Sequence, residues 1–416
     1  MTRARCLIVL LDGLGDRPSV ELKKRTPLMY ARKPFIDRLS REGVNGLMDP
    51  VGPGIPVGSD TGHLAILGYD PYKYYTGRGP FEALGAGIRL EPGDVAFRYN
   101  LATVDENWRL IDRRAGRIST EEAEVLADSL RDLAADLSKG GVEVIIRSTV
   151  EHRGVLVLRG PSLSHKVTDV DPHKENVTVE MPRPTEASEG ARRTAQILAE
   201  LIKGSHALLT VHELNRDRVR RGMMAANALL TRGGGVMPNL YSLNERFKIR
   251  SSVIAGGALY KGVCGAAGME VVNVEGATGT LKTNLAGKFR AARDRLRVDD
   301  LVFLHIKGTD SASHDRSPAS KAQFIERVDE EFSRAFGDTP SGLVICVTGD
   351  HTTSSITGEH RGDPVPLLIW GDEVRRDGVE SFDEVNCSKG GLNRLRGLDL
   401  MNVLLDVANV TEMFGE

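Results

Sequence analysis

Three apolar runs, far apart in the chain, each stop at an aspartate: LIVLLD at Asp12, LVFLHIKGTD at Asp310 and LVICVTGD at Asp350. Unbroken runs rich in Val, Ile and Leu are what strands covered on both faces of a parallel sheet require. A parallel sheet needs crossover connections, usually helical, which points to an α/β architecture. Such a sheet brings the carboxyl ends of its strands to one edge, where ligands bind. Histidines crowd the same places. His351 follows Asp350 at once, His314 lies one helical turn past Asp310, and His360 comes a short loop later. Carboxylates and imidazoles gathered on one edge suit a divalent metal, and in this number a pair of metals. Taken singly, a strand-end aspartate is more simply a turn residue or helix cap. Three of them, with three of the chain's ten histidines, favour the metal reading.

Composition narrows the classes. A net charge of −2 gives no pull toward nucleic acid or anionic membrane. The apolar runs are too short to cross a bilayer. The start MTRARCLIVLLDG has the basic and apolar parts of a signal peptide, but the run is short and ends in Asp-Gly. It is expected to be the first buried strand, Cys6 to Leu11. Cys6, Cys264, Cys346 and Cys387 show no zinc spacing and are expected as thiols of a cytoplasmic protein.

Texture divides the chain. Strand-like runs at 251–255, 301–306, 343–347 and 365–370 continue the buried, mostly parallel pattern after about residue 245. Between residues 94 and 244 the pattern alternates instead, with strands at 95–99, 142–146 and 154–158. Helix signals lie among them: a capping box of Ser119 and Glu122 ahead of Leu126, Leu130, Leu133 and Leu137, and a helix from Glu186 to Lys203. The expected organisation is a discontinuous core, 1–93 with 245–416, and an inserted α/β cap, 94–244.

Ser59 follows the Gly/Pro-rich loop 52–58 and opens an apolar, helix-like stretch. A helix N-terminus favours an anion through its free N–H groups and dipole. A serine there can carry a phosphoryl group, or it can merely cap the helix. In the insertion, the basic run 215–221, with Arg218 in it and Asn227 and Arg232 beyond, reads as a solvated face or as forks for a small anionic substrate. No aromatic interleaving supports nucleic acid. Asp169, Asp171 and His173 form a polar knot that a turn with Asx caps would explain equally well.

With these motifs in hand, the chain resembles the archaeal-type cofactor-independent phosphoglycerate mutases of the alkaline phosphatase superfamily. The resemblance rests on LLDGLGDRP, GSDTGHLAILGYDP, TGRGPFEALGAG, DVDPH, ALYKGVCGAAGM, HIKGTDSASHD, TGDHTT and GEHRGDPVP, in that order over nearly the whole length. It implies an alkaline-phosphatase-like core with an inserted cap, and two divalent metals (manganese first, with zinc, cobalt or magnesium as alternatives). It implies a phosphoserine intermediate, and no 2,3-bisphosphoglycerate. One metal would be held by Asp12, Ser59, Asp350 and His351, the other by Asp310, His314 and His360. Lys261 and the cap residues Arg153, Arg218, Asn227 and Arg232 would hold phosphoglycerate, with Asp169 or Asp171 as proton carrier. Neither His165 nor His173 matches the cap histidine of the wider superfamily. A phosphatase or a homoserine-kinase-like phosphotransferase would keep the same metals and serine. A non-catalytic metal-stabilised binding protein would lack a ligand or the nucleophile. Partners beyond the small-molecule substrate, and the oligomeric state, are not legible.

Overall fold

Strand Arg5–Leu11 lies inside an eight-stranded sheet, between Leu301–Ile306 and Leu343–Thr348. The three apolar runs are thus neighbours, and all are parallel, with Leu11 opposite Ile306 and Leu10 opposite Thr348. Their interior residues are buried throughout, as the unbroken apolar pattern requires. Ser251–Ile254 and Glu270–Val272 continue the parallel order on one side. On the other side Val365–Trp370 runs antiparallel, followed by Val44–Asp49 and Asn393–Arg396. The link before Val365 holds no crossover helix. It is spent on the small hairpin of Thr352–Thr353 with His360–Arg361.

This computed structural model describes residues 3–138, 141–413 and 415. It divides the chain into two compact units, residues 1–75 with 240–416, and residues 76–239. The first division falls ahead of the expected residue 94. Helix Gly79–Gly85 packs its Ala83 with Ile88, Ala96, Val155 and Val157, so it belongs to the inserted unit.

In the first unit, helices cover the sheet through amphipathic faces. Helix Pro318–Phe336 is capped by Ser317, whose side chain accepts from the Ser320 N–H, and carries proline in its first turn. Its Phe324, Ile325, Val328, Phe332 and Phe336 join Phe289, Leu304, Ile306 and Ile345 in one core. Full burial of a side chain of this size contributes about 1.5–3 kcal/mol. Helix Pro34–Glu42 ends at Gly43, as its sequence suggests. No helix among the described residues is long and apolar enough to cross a membrane.

The second unit is built on an antiparallel sheet. Val95–Val104 pairs with Leu110–Asp112, Arg153–Arg159 and Ala228–Val236, and Glu143–Ser148 pairs with Arg153–Arg159. Val95, Phe97, Tyr99 and Leu101 of the long strand enter an apolar core with Leu126, Leu130, Leu198 and Leu201. Strand alternation therefore sends Arg98 and Asn100 to the opposite face. The capping box expected at Ser119 is half made. Ser119 accepts from the Glu122 N–H, but the Glu122 carboxylate pairs with Arg218 and Arg221. A buried guanidinium outcompetes a helix-end N–H for it. The leucine-spaced stretch is two helices, Thr120–Asp128 and Arg131–Ser138. The helix expected from Glu186 starts later, as Glu189–Val211, where Ser188 accepts from the Ala191 N–H.

Candidate active site

The parallel register sets the first elements of the site. Asp12 follows its strand directly, Asp350 lies just past Thr348, and Asp310 sits in helix Gly308–His314 beyond Ile306. All three are at most 1% exposed. Close backbone approach is what lets them gather. Gly13 has φ +62°, and a Cβ there would stand 2.6 Å from Thr353 Oγ1; one on Gly62 would stand 2.6 Å from the Asp350 carbonyl.

Ser59 is the first residue of helix Ser59–Ile66, and Gly58 takes the cap position. The capping role therefore does not occupy the serine side chain. Its Oγ lies 3.1 Å from His351 Nε2. His351 Nε2 in turn lies 3.4 Å from Asp12 Oδ1 and 3.5 Å from Asp350 Oδ2. His63, one turn along the same helix, sets Nδ1 2.7 Å from the Ser59 carbonyl and 3.3 Å from Asp350 Oδ2. Around Asp310, His314 Nε2 stands at 3.3 Å and His360 Nε2 at 3.7 Å. His314 Nδ1 is 2.8 Å from the Gly358 carbonyl and His360 Nδ1 is 2.7 Å from the Val57 carbonyl. A carbonyl only accepts, so both Nδ1 atoms carry the proton. When neutral, each ring then turns a lone pair on Nε2 into the site, the tautomer a metal ligand needs.

Three groups unforeseen in the sequence support these residues. His305 Nε2 lies 2.9 Å from Asp12 Oδ2, and its ring stacks on Tyr260 at 3.7 Å. The Lys307 ammonium stands 2.6 Å from Asp310 Oδ2 and 3.5 Å from Asp12 Oδ2. Thr353 bonds both Asp310 and His351. The HIKGTD and TGDHTT motifs contain all three, but nothing in their spacing shows which way a side chain points.

Burial works against the charged form of each group here, and at Asp12, His351 and His314 opposite charges outweigh it. Lys307, with His305 and His351, holds Asp12 well below the usual carboxylate range. Asp350, Asp12 and Asp310 push His351 up to about 9. His314 is raised chiefly by its bond to Asp310. His360 is lowered by burial and by His351.

A cation fits this donor set. Asp12 Oδ1 and Asp350 Oδ2 are buried without a hydrogen-bond partner, a costly state for a carboxylate oxygen. Ligand atoms of Asp310, His314 and His360 lie within 4.8 Å of one another, and so do those of Asp12, Asp310 and His351. Asp310 thus reaches both groups, while Ser59 and Asp350 flank the second through His351. Lys261 lies in the same unit, on helix Ala258–Ala266, with Nζ 2.8 Å from Asn273 Oδ1.

The second unit has its own charged face. Register places Arg98 opposite Arg232 and Asn100 opposite Arg153. Glu82 faces this cluster, 2.8 Å from Arg78 and 3.9 Å from Arg98. Arg98 is 6% exposed, and its Nε and that of Arg153 have no hydrogen-bond partner. Burial and neighbouring arginines lower Arg98, Arg153 and Arg232. Buried cations in excess of carboxylates make an anion site. Arg98 lies in the alternating strand expected at 95–99 but was not singled out as a site residue; the strand alternation around it was the available signal.

Two expected substrate residues do not belong to that face. Arg218 is 2% exposed and spends its donors on Glu122, the Met224 carbonyl and the Ala115 carbonyl. Asn227 bonds both the N–H and the carbonyl of Val104, at 2.9 Å each. Both are engaged within the unit: each guanidinium nitrogen of Arg218 has a protein partner, and so do both polar atoms of the Asn227 amide. Asp171 is fixed by Arg113 and Asn100, and its Oδ1 accepts from the His173 N–H. Asp169 is exposed and accepts from the Gly233 N–H at 2.8 Å. His173 Nδ1 lies 3.1 Å from Arg232.

Known proteins match this chain over its full length. A family model described as 2,3-bisphosphoglycerate-independent phosphoglycerate mutase matches residues 40–215. The 2,3-bisphosphoglycerate-independent phosphoglycerate mutase 1 of Methanocaldococcus jannaschii is 45% identical over 416 residues, covering 100% of both chains. The 2,3-bisphosphoglycerate-independent phosphoglycerate mutase of Pyrobaculum islandicum is 48% identical over 410 residues, 98% of each chain. Among solved structures, a protein of Pyrococcus horikoshii superposes with a TM-score of 0.86 at 38% identity, covering 100% of both chains. The cofactor-independent phosphoglycerate mutase of Thermoplasma acidophilum gives 0.68 at 36% identity, over 97% of this chain and 100% of that one.

Proposed function

The chain belongs to the 2,3-bisphosphoglycerate-independent phosphoglycerate mutases, and on that premise we propose that Ser59 carries the phosphoryl group it moves. The reaction is the interconversion of 2-phosphoglycerate and 3-phosphoglycerate, a step of glycolysis and gluconeogenesis. The observation that carries the reading is Ser59 Oγ, freed from capping and set 3.1 Å from His351 Nε2 beside three buried aspartates.

Two divalent cations, manganese foremost, would be held by Asp12, Asp350 and His351 with Ser59, and by Asp310, His314 and His360; they would neutralise the phosphate and lower the pKa of the Ser59 hydroxyl. Ser59 Oγ attacks phosphorus in line, and the bond to the glycerate oxygen breaks. Phosphoserine and glycerate result. The leaving oxygen takes a proton, the other hydroxyl gives one up, and that oxygen receives the phosphoryl group back. Asp169 is the better proton carrier of the two aspartates, because Asp171 is held by Arg113 and lies below its ordinary range despite burial. Lys307, next to Asp12 and Asp310, is placed to steady charge on the transferring group, and Lys261 is a second candidate for that work. Arg98, Arg153 and Arg232 are our candidates for holding glycerate by its carboxylate. A cytoplasmic setting belongs to the same proposal, supported by four cysteines that are free and buried.

An enolase-coupled assay, offered 3-phosphoglycerate without 2,3-bisphosphoglycerate, tests the function. Turnover should appear, stop with a chelator and return with Mn²⁺. Absence of 2-phosphoglycerate, or indifference to the chelator, would sink the reading. Arg98→Met, Arg153→Met and Arg232→Met should each lower mutase kcat/KM by about tenfold to a hundredfold, the loss of one charge-assisted contact. Release of inorganic phosphate should fall less, since glycerate escapes before it is rephosphorylated. Equal losses in both assays would remove the arginine face from the mechanism.

A further inference from the structure

Thr353 is fully buried, and its hydroxyl lies between two side chains from distant parts of the chain. Oγ1 is 2.9 Å from His351 Nδ1 and 2.9 Å from Asp310 Oδ1. A hydroxyl has one proton to give. The Asp310 carboxylate, beside the Lys307 ammonium, can only accept. Thr353 therefore donates to Asp310, and its own oxygen accepts from the His351 Nδ1–H. In the neutral ring, the proton on Nδ1 leaves the Nε2 lone pair to face Ser59 Oγ at 3.1 Å and Asp12 Oδ1 at 3.4 Å.

The backbone of Thr353 is anchored as firmly as its hydroxyl is placed. Its N–H donates to the Gly15 carbonyl, and its carbonyl accepts from Lys321 Nζ at 3.0 Å. The other bonds of that ammonium go to the Gly15 carbonyl and Asp16 Oδ2, also at 3.0 Å. Lys321 and Asp16 form an ion pair whose side chains are both 0% exposed. Asp16 in turn accepts from the Ser355 N–H. One buried ammonium thus ties the loop after Asp12 to the strand that carries Thr353. A threonine hydroxyl in an ordinary core meets a nearby backbone carbonyl; this one meets only the groups that line the site.

We infer that Thr353 is a positioning residue that couples the two metal half-sites. Through one hydroxyl it fixes the tautomer of His351, on the Ser59 side, and the orientation of Asp310, shared with His314 and His360. The inference rests on the reading of His351 and Asp310 as metal ligands. Partners of this kind outside the ligand set typically change metal affinity by about tenfold to a hundredfold.

The test is titration of the full chain with Mn²⁺ alone, by calorimetry and by electron paramagnetic resonance of the bound ions. Thr353→Val keeps the shape and removes the hydroxyl. It should weaken Mn²⁺ binding at both sites by about tenfold to a hundredfold and alter the spin coupling of the pair. Thr353→Ser should restore both. Unchanged binding in Thr353→Val, weakening confined to one site, or no rescue by Thr353→Ser overturns the inference. If Thr353→Val does not fold, Thr353→Ala is titrated with the same expected result and the same grounds for rejection. His351→Ala and Asp310→Asn separate the two claims. If either still binds two Mn²⁺ ions as tightly as the parent chain, the ligand reading itself falls, and the coupling falls with it.

Discussion

Ser59→Ala is expected to lower turnover on the order of a millionfold, the scale seen when a catalytic nucleophile is deleted, while two Mn²⁺ ions still bind. The substitution removes the oxygen that faces His351 and little else. Gly58 holds the cap position and alanine suits a helix start, so helix Ser59–Ile66 should form as before. Asp12, Asp310 and His351 bring three ligand atoms within 4.8 Å of one another without the serine, and Asp310, His314 and His360 do the same. The measurement is the enolase-coupled rate beside metal content and a thermal melt. Full activity in the folded variant would end the nucleophile assignment. Loss of both metals along with activity would make Ser59 a structural ligand first.

Asp310→Ala should act through the metals instead. Asp310 is common to both groups of candidate ligands, accepts from Thr353, and has Lys307 at 2.6 Å. Its loss leaves His314 and His360 without their carboxylate partner. Mn²⁺ stoichiometry should drop from two to at most one, and the remaining site should weaken by about a hundredfold or more, beyond the usual effect of an outer partner. Activity should vanish with the metal. Of its two carboxylate partners Lys307 keeps Asp12 alone, so the metal-free variant should also melt at a lower temperature. Calorimetric titration and metal analysis check this. Two tightly bound ions in Asp310→Ala would show that the pair is held elsewhere.

What could be read in advance differs residue by residue. The placement of Asp12, Asp310 and Asp350 on one edge followed from the chemistry of buried strands, because an unbroken Val/Ile/Leu run has few other uses. Arg218 and Asn227 were misplaced because a guanidinium or an amide looks the same whether it faces a ligand or a stray carbonyl. Only the packing of Glu122 and Val104 against them decides that. Arg98 was missed for the opposite reason: one arginine among apolar residues looks like noise until strand pairing sets it opposite Arg232. The first boundary of the inserted unit was drawn late, because helix Gly79–Gly85 is continuous with a motif of the first part while its apolar face packs in the second.

The sequence by itself determined the class of fold, the carboxylates and imidazoles of the edge, and a serine at a helix start, since strand burial and helix entry are local in pattern. The tertiary structure alone decided what those side chains do. It put the cap on Gly58 and so released Ser59. It turned Nε2 of His314, His351 and His360 toward the carboxylates by giving each Nδ1 an oxygen partner. It also set Lys307 between Asp12 and Asp310, hundreds of residues apart, and Thr353 between Asp310 and His351. Hydrogen-bond direction depends on which oxygen comes within about 3 Å, and for these groups that is settled by segments remote in the chain.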